Sequence, residues 1–166
     1  MKQGAKANLS GAKLEHRVQE VITSTLGIEA KYHSRTKRRE NILLKSVPYT
    51  NIYGNSKCRS EFVICKNGRK IRVECKAQHS AGSVDEKLPY LYLNFTSSIE
   101  ENEAVVVVDG DGFKEGAKEW LKDKCEDTKV LVFNPEEFEA WMNNDMPVKM
   151  LKPAGFGAYI RRWFSL

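Results

Sequence analysis

The chain has 166 residues, of which 41% are hydrophobic and 30% are charged, and its formal net charge is +5. This length suits one domain that buries a core without disulfide support, and we expect residues 1–166 to form a single domain. No apolar stretch approaches the ~18 residues that a membrane-spanning helix needs, so the sequence gives no reason to expect an integral membrane protein.

The N-terminus and the cysteines favour a cytoplasmic protein. The first six residues are basic but lead into no apolar segment of the kind that a signal peptide contains. The four cysteines contain no CxxC pair and no dense spacing pattern: Cys58, Cys65, Cys75 and Cys125. This usage is typical of a reducing compartment.

Helical periodicity predicts a first helix over Ser10–Leu26. The apolar residues Leu14, Val18 and Ile22 recur at helical spacing, and a serine and a glycine stand where the helix would begin and end. Glu15 lies beside this apolar stripe. The carboxylate would therefore reach the sheet if the helix packs on it.

A basic segment follows the first helix. Between residues 31 and 39 the chain has five cationic residues and no acidic one: Lys31, Arg35, Lys37, Arg38 and Arg39. The C-terminal residues repeat the pattern among aromatic residues, with Lys149, Lys152, Arg161 and Arg162. Such clusters are typical of nucleic-acid binding, although a solvated basic loop would have the same composition.

The middle of the chain predicts a β-hairpin. Ile42–Tyr53 is ambiguous, because Pro48 argues against a central strand. Arg59–Cys65 and Lys70–Gln78 both alternate as strands do, and the Asn-Gly pair between them is a strong signal for a tight hairpin turn. These two strands should therefore be antiparallel neighbours.

The second half alternates helices and strands. In chain order the pattern predicts a helix within Asp85–Glu101 that Pro89 bends or delays, a buried strand Ala104–Asp109, a helix Phe113–Lys124, a strand Lys129–Phe133 and a helix from Pro135 that Asn134 caps. This order predicts an α/β fold with a mixed central β-sheet flanked by helices.

Polar residues line one face of the predicted hairpin. Glu74, Lys76 and Gln78 are two residues apart, so they project from the same side of their strand. Counting back from the turn places Glu61 directly opposite Glu74. Two carboxylates that close repel each other and favour a cation between them.

This set of residue types suits metal-assisted hydrolysis of a phosphodiester. Mg²⁺ is usually held by one or two carboxylates together with phosphate oxygens, which gives Glu61 and Glu74 as ligands and Glu15 as an outer or second-metal ligand. Lys76 would position or deprotonate the attacking water, or offset charge in the transition state. Gln78 would orient the water or contact the adjacent phosphate.

These residues resemble a known family. Glu15 on an opening helix, then Glu61, then Glu74-x-Lys76 with Gln78, are similar to the motif of the PD-(D/E)XK nuclease superfamily, which has the restriction-endonuclease-like fold. The resemblance implies phosphodiester cleavage that depends on Mg²⁺, with Mn²⁺ as a substitute. It departs from the usual motif at the first acid, which is commonly Asp after Pro and here is Glu after Ser.

The segment after the motif strand also resembles part of some restriction and phage nucleases. Within Gly82–Tyr90, Ser83 and Lys87 would then contact phosphate near the scissile bond. The alternative is an ordinary helix N-terminus with Ser83 as its cap. The two interpretations are compatible.

The leading hypothesis is a metal-dependent endodeoxyribonuclease that acts on double-stranded DNA. A chain this short would cut both strands as a homo-oligomer with two-fold symmetry. The polar segment 41–57 favours sequence preference of the restriction or homing type. A structure-specific Holliday junction resolvase remains an alternative, as does a non-catalytic nucleic-acid-binding module, although clustered carboxylates facing a polyanion argue against the latter.

Overall fold

The computed structural model describes the backbone of residues 3–54 and 57–148, and their side chains from residue 9 onward. The predicted α/β class is confirmed, since a mixed six-stranded sheet in this part of the chain is flanked by helices on both faces. The helices are α1 (Gln3–Leu26), α2 (Leu88–Ser97), α3 (Ala117–Cys125) and α4 (Pro135–Asn143). The strands are β1 (Glu29–Tyr32), β2 (Ile42–Thr50), β3 (Lys57–Lys66), β4 (Arg69–Ala77), β5 (Glu103–Asp109) and β6 (Val130–Phe133). None of the described helices is long and apolar enough to cross a membrane.

The order of the strands in the sheet follows their order in the chain. β2, β3 and β4 form an antiparallel meander, while β4, β5 and β6 run parallel to one another. The short strand β1 lies parallel to β2 at the other edge. The connections from β4 to β5 and from β5 to β6 pass through α2 and α3, as crossover connections between parallel strands usually do.

Most of the segment Ile42–Tyr53, which was ambiguous in the sequence, forms strand β2. β1 pairs only with Ile42–Lys45, so Pro48 lies beyond it, where one side of β2 is unpaired. The missing N–H of the proline therefore interrupts no ladder with β1. The edge position of this part of β2 depends on the whole sheet and was not evident from the local sequence.

The β3–β4 hairpin has the register that its turn predicts. Asn67 and Gly68 both have positive φ, at 52° and 74°, as a type I′ turn requires. The ladder runs from the pair Lys66 and Arg69 to the pair Phe62 and Val73. Glu61 and Glu74 are the next residues in this register, at the point where the ladder ends.

One face of the sheet packs against α1 and α4. The predicted stripe Leu14, Val18 and Ile22 is buried there. The helix begins at Gln3 rather than at Ser10, so the prediction of Ser10 as its cap is wrong. Residues 5–9 are mostly good helix formers, and a helix continues upstream through such residues even when a capping residue follows.

The opposite face packs against α2 and α3. α2 follows one turn of 3₁₀ helix, Asp85–Lys87, and Pro89 lies in its first turn, which agrees with the predicted delay. The predicted helix from Phe113 begins only at Ala117, because Gly116 before it has a left-handed backbone with φ of 76°. The chain then forms β6 and α4, and Asn134 caps α4 as predicted.

Candidate active site

Glu74 and Lys76 lie on one face of β4 and form a salt bridge. The alternation of the strand places Val73 and Cys75 in the core beneath α1 instead. One carboxylate oxygen of Glu74, Oε1, accepts a hydrogen bond from Lys76 Nζ. The other, Oε2, is buried and has no hydrogen-bond partner among the described residues. A buried carboxylate oxygen with no partner is unfavourable unless a cation or a donor completes it.

Glu61 reaches the same place from β3. Its Oε2 accepts a hydrogen bond of 3.1 Å from the backbone N–H of Cys75, which lies between Glu74 and Lys76. The two strands therefore bring Glu61, Glu74 and Lys76 together, as the register predicts. The hydrogen bond from the Cys75 N–H to Glu61 could not be predicted from the sequence.

The electrostatics of the three residues are coupled. Burial raises the pKa of Glu74, and the Glu61 carboxylate raises it further, while the Lys76 ammonium opposes both. Burial alone would lower the pKa of Lys76, but the charges of Glu74 and Glu61 outweigh burial and raise it. Lys76 is therefore a protonated ammonium at neutral pH.

Glu15 projects from α1 and is exposed. Partial desolvation and the nearby Glu61 charge raise the pKa of Glu15, while the charges of Lys76 and Lys45 lower it. The charges of Glu61 and Lys76 therefore act on the Glu15 carboxylate. Within residues 3–54 and 57–148, however, no group of three or more His, Cys, Asp or Glu side chains is arranged to hold a metal ion.

The residues present fit a divalent ion held by two carboxylates rather than three. Glu61 and Glu74 are adjacent, and Glu74 Oε2 is buried without a partner. Mg²⁺ commonly takes one or two protein carboxylates and completes its shell with water and phosphate oxygens. Oxygen ligands of this type suit Mg²⁺ or Mn²⁺.

Gln78 is buried directly after β4, and its side chain forms hydrogen bonds outside the cluster of Glu61, Glu74 and Lys76. Its amide donates to the Gly112 carbonyl at 2.6 Å and to Asp85 Oδ1 at 3.2 Å, and its Oε1 accepts from the Val84 backbone N–H at 2.6 Å. None of these contacts is to Glu61, Glu74 or Lys76. In this structure the Gln78 side chain holds two loops beside the site, a role that its place in the motif did not indicate.

Gly110 and Gly112 allow the loop after β5 to approach the end of β4 closely. A Cβ on Gly110 would lie 2.4 Å from the Gln78 carbonyl oxygen, and one on Gly112 would lie 2.4 Å from the Ser80 nitrogen. The Gly112 N–H also donates to the Gln78 carbonyl at 2.7 Å. The segment after β5 is therefore packed against the end of β4.

Most of the basic segment is engaged in local contacts. Lys31 and Arg38 both form salt bridges with Glu29, at 3.1 and 2.9 Å. Arg38 also donates to the carbonyls of Glu40 and Asn41, just after the segment, and Arg39 donates to two carbonyls within it. These contacts order the loop between β1 and β2.

Arg35 and Lys37 are the more available cations of that segment. Arg35 is exposed and stacks on the Tyr32 ring, with 5.3 Å from its guanidinium carbon to the ring centroid. Lys37 is exposed and forms no ion pair or hydrogen bond in the described part of the chain. Of the C-terminal cations, all four lie outside the described residues: Lys149, Lys152, Arg161 and Arg162.

Ser83 and Lys87 are both exposed on the segment between β4 and α2. Ser83 does not cap the following turn, which begins after Val84 without a side-chain cap. Lys87 occupies the N-cap position of α2 and its ammonium is free to face solvent. Gln78 fixes this segment to the end of β4 through Val84.

A buried network that the sequence did not indicate lies on the Glu74 face of β4. The Arg72 guanidinium donates to both oxygens of Glu101, at 2.7 and 2.8 Å, and to Ser60 Oγ at 2.8 Å. It also stacks on Tyr49, 5.1 Å from the ring centroid. Burial raises the pKa of Tyr49, and so does the Glu74 charge, which places this ring beside the site. The alternation of the strand predicts that Arg72 faces solvent, and its partner Glu101 is 29 residues away in the sequence.

A comparison with known protein families identifies the superfamily of this chain. Residues 6–146 match the family model described as a PD-(D/E)XK nuclease superfamily domain. The chain belongs to this superfamily. The resemblance to this superfamily is thereby confirmed, and membership in the PD-(D/E)XK superfamily implies a nuclease-like phosphodiesterase.

Two further comparisons add little to the PD-(D/E)XK assignment. The crystal structure of protein VC1899 from Vibrio cholerae is similar with a TM-score of 0.45 and 14% sequence identity. The similarity covers 88% of this chain and 35% of that chain, so this chain spans about a third of its length. No curated protein matches the sequence.

Proposed function

We propose that the protein is an endodeoxyribonuclease that hydrolyses DNA phosphodiester bonds with Mg²⁺, for which Mn²⁺ substitutes. The observation that carries this proposal is the buried, unpartnered Oε2 of Glu74 beside Glu61 and Lys76. A buried carboxylate oxygen without a partner is unfavourable, and a cation bound between Glu61 and Glu74 would complete it.

In this proposal Glu61 and Glu74 hold the ion, and Glu15 contributes through the outer shell. A bound divalent ion acidifies water and stabilises negative charge on the leaving oxygen. The protein's own contribution is to fix two carboxylates at the end of the β3–β4 ladder, where their mutual repulsion is relieved by a cation. Burial strengthens this preference because water screens the charges less.

Lys76 positions or deprotonates the attacking water, or offsets the charge on the phosphate in the transition state. Gln78 acts by position, since it fixes the loops that carry Ser83 and Lys87. Ser83 and Lys87 then contact the phosphates next to the scissile bond.

The remaining parts of the proposal concern the substrate and the assembly. Double-stranded DNA lies across the exposed cations of the basic segment 31–39, of which Arg35 and Lys37 make the principal phosphate contacts. Phosphate contacts of this kind position the duplex and carry no sequence information. A homo-oligomer with two-fold symmetry cuts both strands, with sequence preference of the restriction or homing type.

The test is cleavage of a panel of substrates by the purified protein. Supercoiled plasmid, linear duplex and cruciform DNA are incubated with Mg²⁺, with Mn²⁺ or with EDTA, and the product ends are sequenced. The proposal expects cleavage with either metal and none with EDTA. Absence of metal-dependent cleavage on every substrate would refute the proposal, and cleavage restricted to the cruciform would replace sequence preference by junction resolution.

A further inference from the structure

We propose that Tyr53 and Tyr90 form a stacking platform for a nucleobase that leaves the duplex next to the scissile phosphate. The inference rests on the proposed function and specifies its substrate. It concerns the loop after β2 and the first turns of α2. Neither residue belongs to the motif that defines the superfamily.

The platform is a pair of nearly parallel aromatic rings at the surface. The ring centroids of Tyr53 and Tyr90 are 6.0 Å apart with an interplanar angle of 29°. Tyr53 is 69% exposed, the largest exposure among the large hydrophobic residues of the described chain. The outer face of its ring is therefore open to a planar partner.

Buried amides hold the loop in this conformation. Asn51 and Asn94 are 6% and 0% exposed, and a buried amide is unfavourable unless it is hydrogen-bonded. Asn94 accepts from the Ile52 N–H at 2.9 Å and donates to the Tyr90 carbonyl at 2.7 Å. Asn51 accepts from the Tyr53 N–H at 3.1 Å. One buried side chain thus links the backbones that carry the two tyrosines.

The platform lies at the same end of the sheet as the candidate active site. β2 ends at Thr50, and β3 begins at Lys57, on the side where Glu61 and Glu74 leave the ladder. The Tyr49 ring packs edge-on against Phe95 of α2, with 6.0 Å between centroids. The charge of Glu74 raises the pKa of Tyr49 in support of this proximity.

The chemistry of the surroundings favours a nucleic-acid base over an apolar protein partner. Residues 50–54 and 57–60 include Lys57 and Arg59 and no acidic residue, and both cations are exposed. Exposed Lys87 lies one turn before Tyr90. An aromatic face among cations is the surface on which unpaired bases stack, because every base has a π-face and its phosphates need counter-charges.

The test measures binding in EDTA, where no cleavage takes place. A fluorescent oligonucleotide duplex carries 2-aminopurine at one unpaired position, and a fully paired duplex of the same length serves as reference. The variants are Tyr53→Ala, Tyr53→Phe, which keeps the ring, and Leu93→Ala. Leu93 is 45% exposed on the same helix as Tyr90 and has no ring, so it controls for lost apolar surface.

The platform predicts that Tyr53→Ala weakens binding of the unpaired substrate by about 5- to 150-fold, the range expected for one lost stacking contact. It also predicts that the quenching of 2-aminopurine on binding disappears. Tyr53→Phe and Leu93→Ala should bind and quench as the wild type does. Circular dichroism should show that all variants are folded, since Tyr53 is exposed.

Two results would overturn the inference. In one, Tyr53→Ala binds and quenches like the wild type. In the other, the substitution changes only the oligomeric state in sedimentation, which would make the tyrosines a contact between copies of the chain. Because binding is measured without metal, either failure is distinct from failure of the cleavage assay on which the proposed function depends.

Discussion

Glu74 and Lys76 form a salt bridge along one face of β4, while the second oxygen of Glu74 is buried with no partner in the described part of the chain. The charge balance of Glu74 and Lys76 depends on whether an ion is bound. Without an ion, the ammonium alone offsets the buried carboxylate. An ion bound by Glu74 and Glu61 would supply a second positive charge beside this carboxylate.

The first prediction concerns Lys76. Replacement by alanine removes the charge that stabilises the transition state, and cleavage should fall by about 10²- to 10³-fold, as losses of comparable electrostatic groups do. Lys76→Arg keeps a positive charge and should recover part of the loss. Single-turnover rates on a plasmid measure both variants, and equal rates for Lys76→Ala and wild type would contradict the role of the ammonium.

The second prediction concerns the buried pair of Arg72 and Glu101. Arg72→Met leaves the Glu101 carboxylate buried without its partner, which should lower the free energy of unfolding by about 3–5 kcal/mol. Arg59→Met is the matched control, because Arg59 is exposed and its hydrogen bonds within the described part of the chain are to Ser46. Urea unfolding should show a change below about 1 kcal/mol for this control.

The double variant Arg72→Met with Glu101→Leu tests the same explanation. Removal of both charges should recover most of the stability that Arg72→Met loses. If the double variant is as unstable as the single one, packing of the arginine stem rather than the unpaired carboxylate is the cause.

The third prediction concerns the loop packed against Gln78. Gly68→Ala, in the β3–β4 turn, is the reference substitution, because Gly68 has positive φ but open space surrounds the position of a Cβ. It should lower the free energy of unfolding by about 1–2 kcal/mol through backbone strain alone. Gly110→Ala adds a contact of 2.4 Å with the Gln78 carbonyl. Its loss of stability in urea should therefore be clearly larger, and equal losses would show that the loop moves away at no cost.

The fourth prediction concerns pH and Asp85. Burial would raise the pKa of Asp85, but hydrogen bonds from Gln78 and Lys114 outweigh it and lower the pKa below its ordinary value of 3.8. A depressed pKa contributes stability at pH values above the unfolded pKa, and this contribution is lost as the pH falls through the folded pKa. Asp85→Asn should therefore be less stable than wild type at pH 6, with the difference shrinking below about pH 4.

Glu86→Gln is the control for that experiment. Glu86 is exposed and shares Lys114 with Asp85. Unfolding in urea at several pH values should show little difference between Glu86→Gln and wild type. A difference for Asp85→Asn that is constant from pH 6 to pH 3 would contradict the assigned cause.

What the sequence predicts well here is local. The Asn-Gly turn fixes the register of β3 and β4, and alternation along β4 then separates Glu74 and Lys76 from Val73 and Cys75. Both relationships depend on neighbours within one hairpin. The structure has the predicted register and the predicted faces.

What the sequence did not predict depends on distant partners. The Gln78 amide is engaged by a carbonyl 34 residues away, and Arg72 is paired with a carboxylate 29 residues away. Pro48 argued against a strand because the sequence does not show that β1 stops short of it. Each of these features is decided by packing that brings remote segments together.

The most direct test of the metal site is the rate of Mg²⁺-dependent plasmid cleavage by Glu74→Gln, measured beside Glu119→Gln. Glu119 is an exposed residue of α3, so its substitution removes the same charge away from the site. We expect Glu74→Gln to be inactive at every Mg²⁺ concentration, while Glu119→Gln cleaves like the wild type. Cleavage by Glu74→Gln at the wild-type rate would contradict the assignment of Glu74 as the central metal ligand.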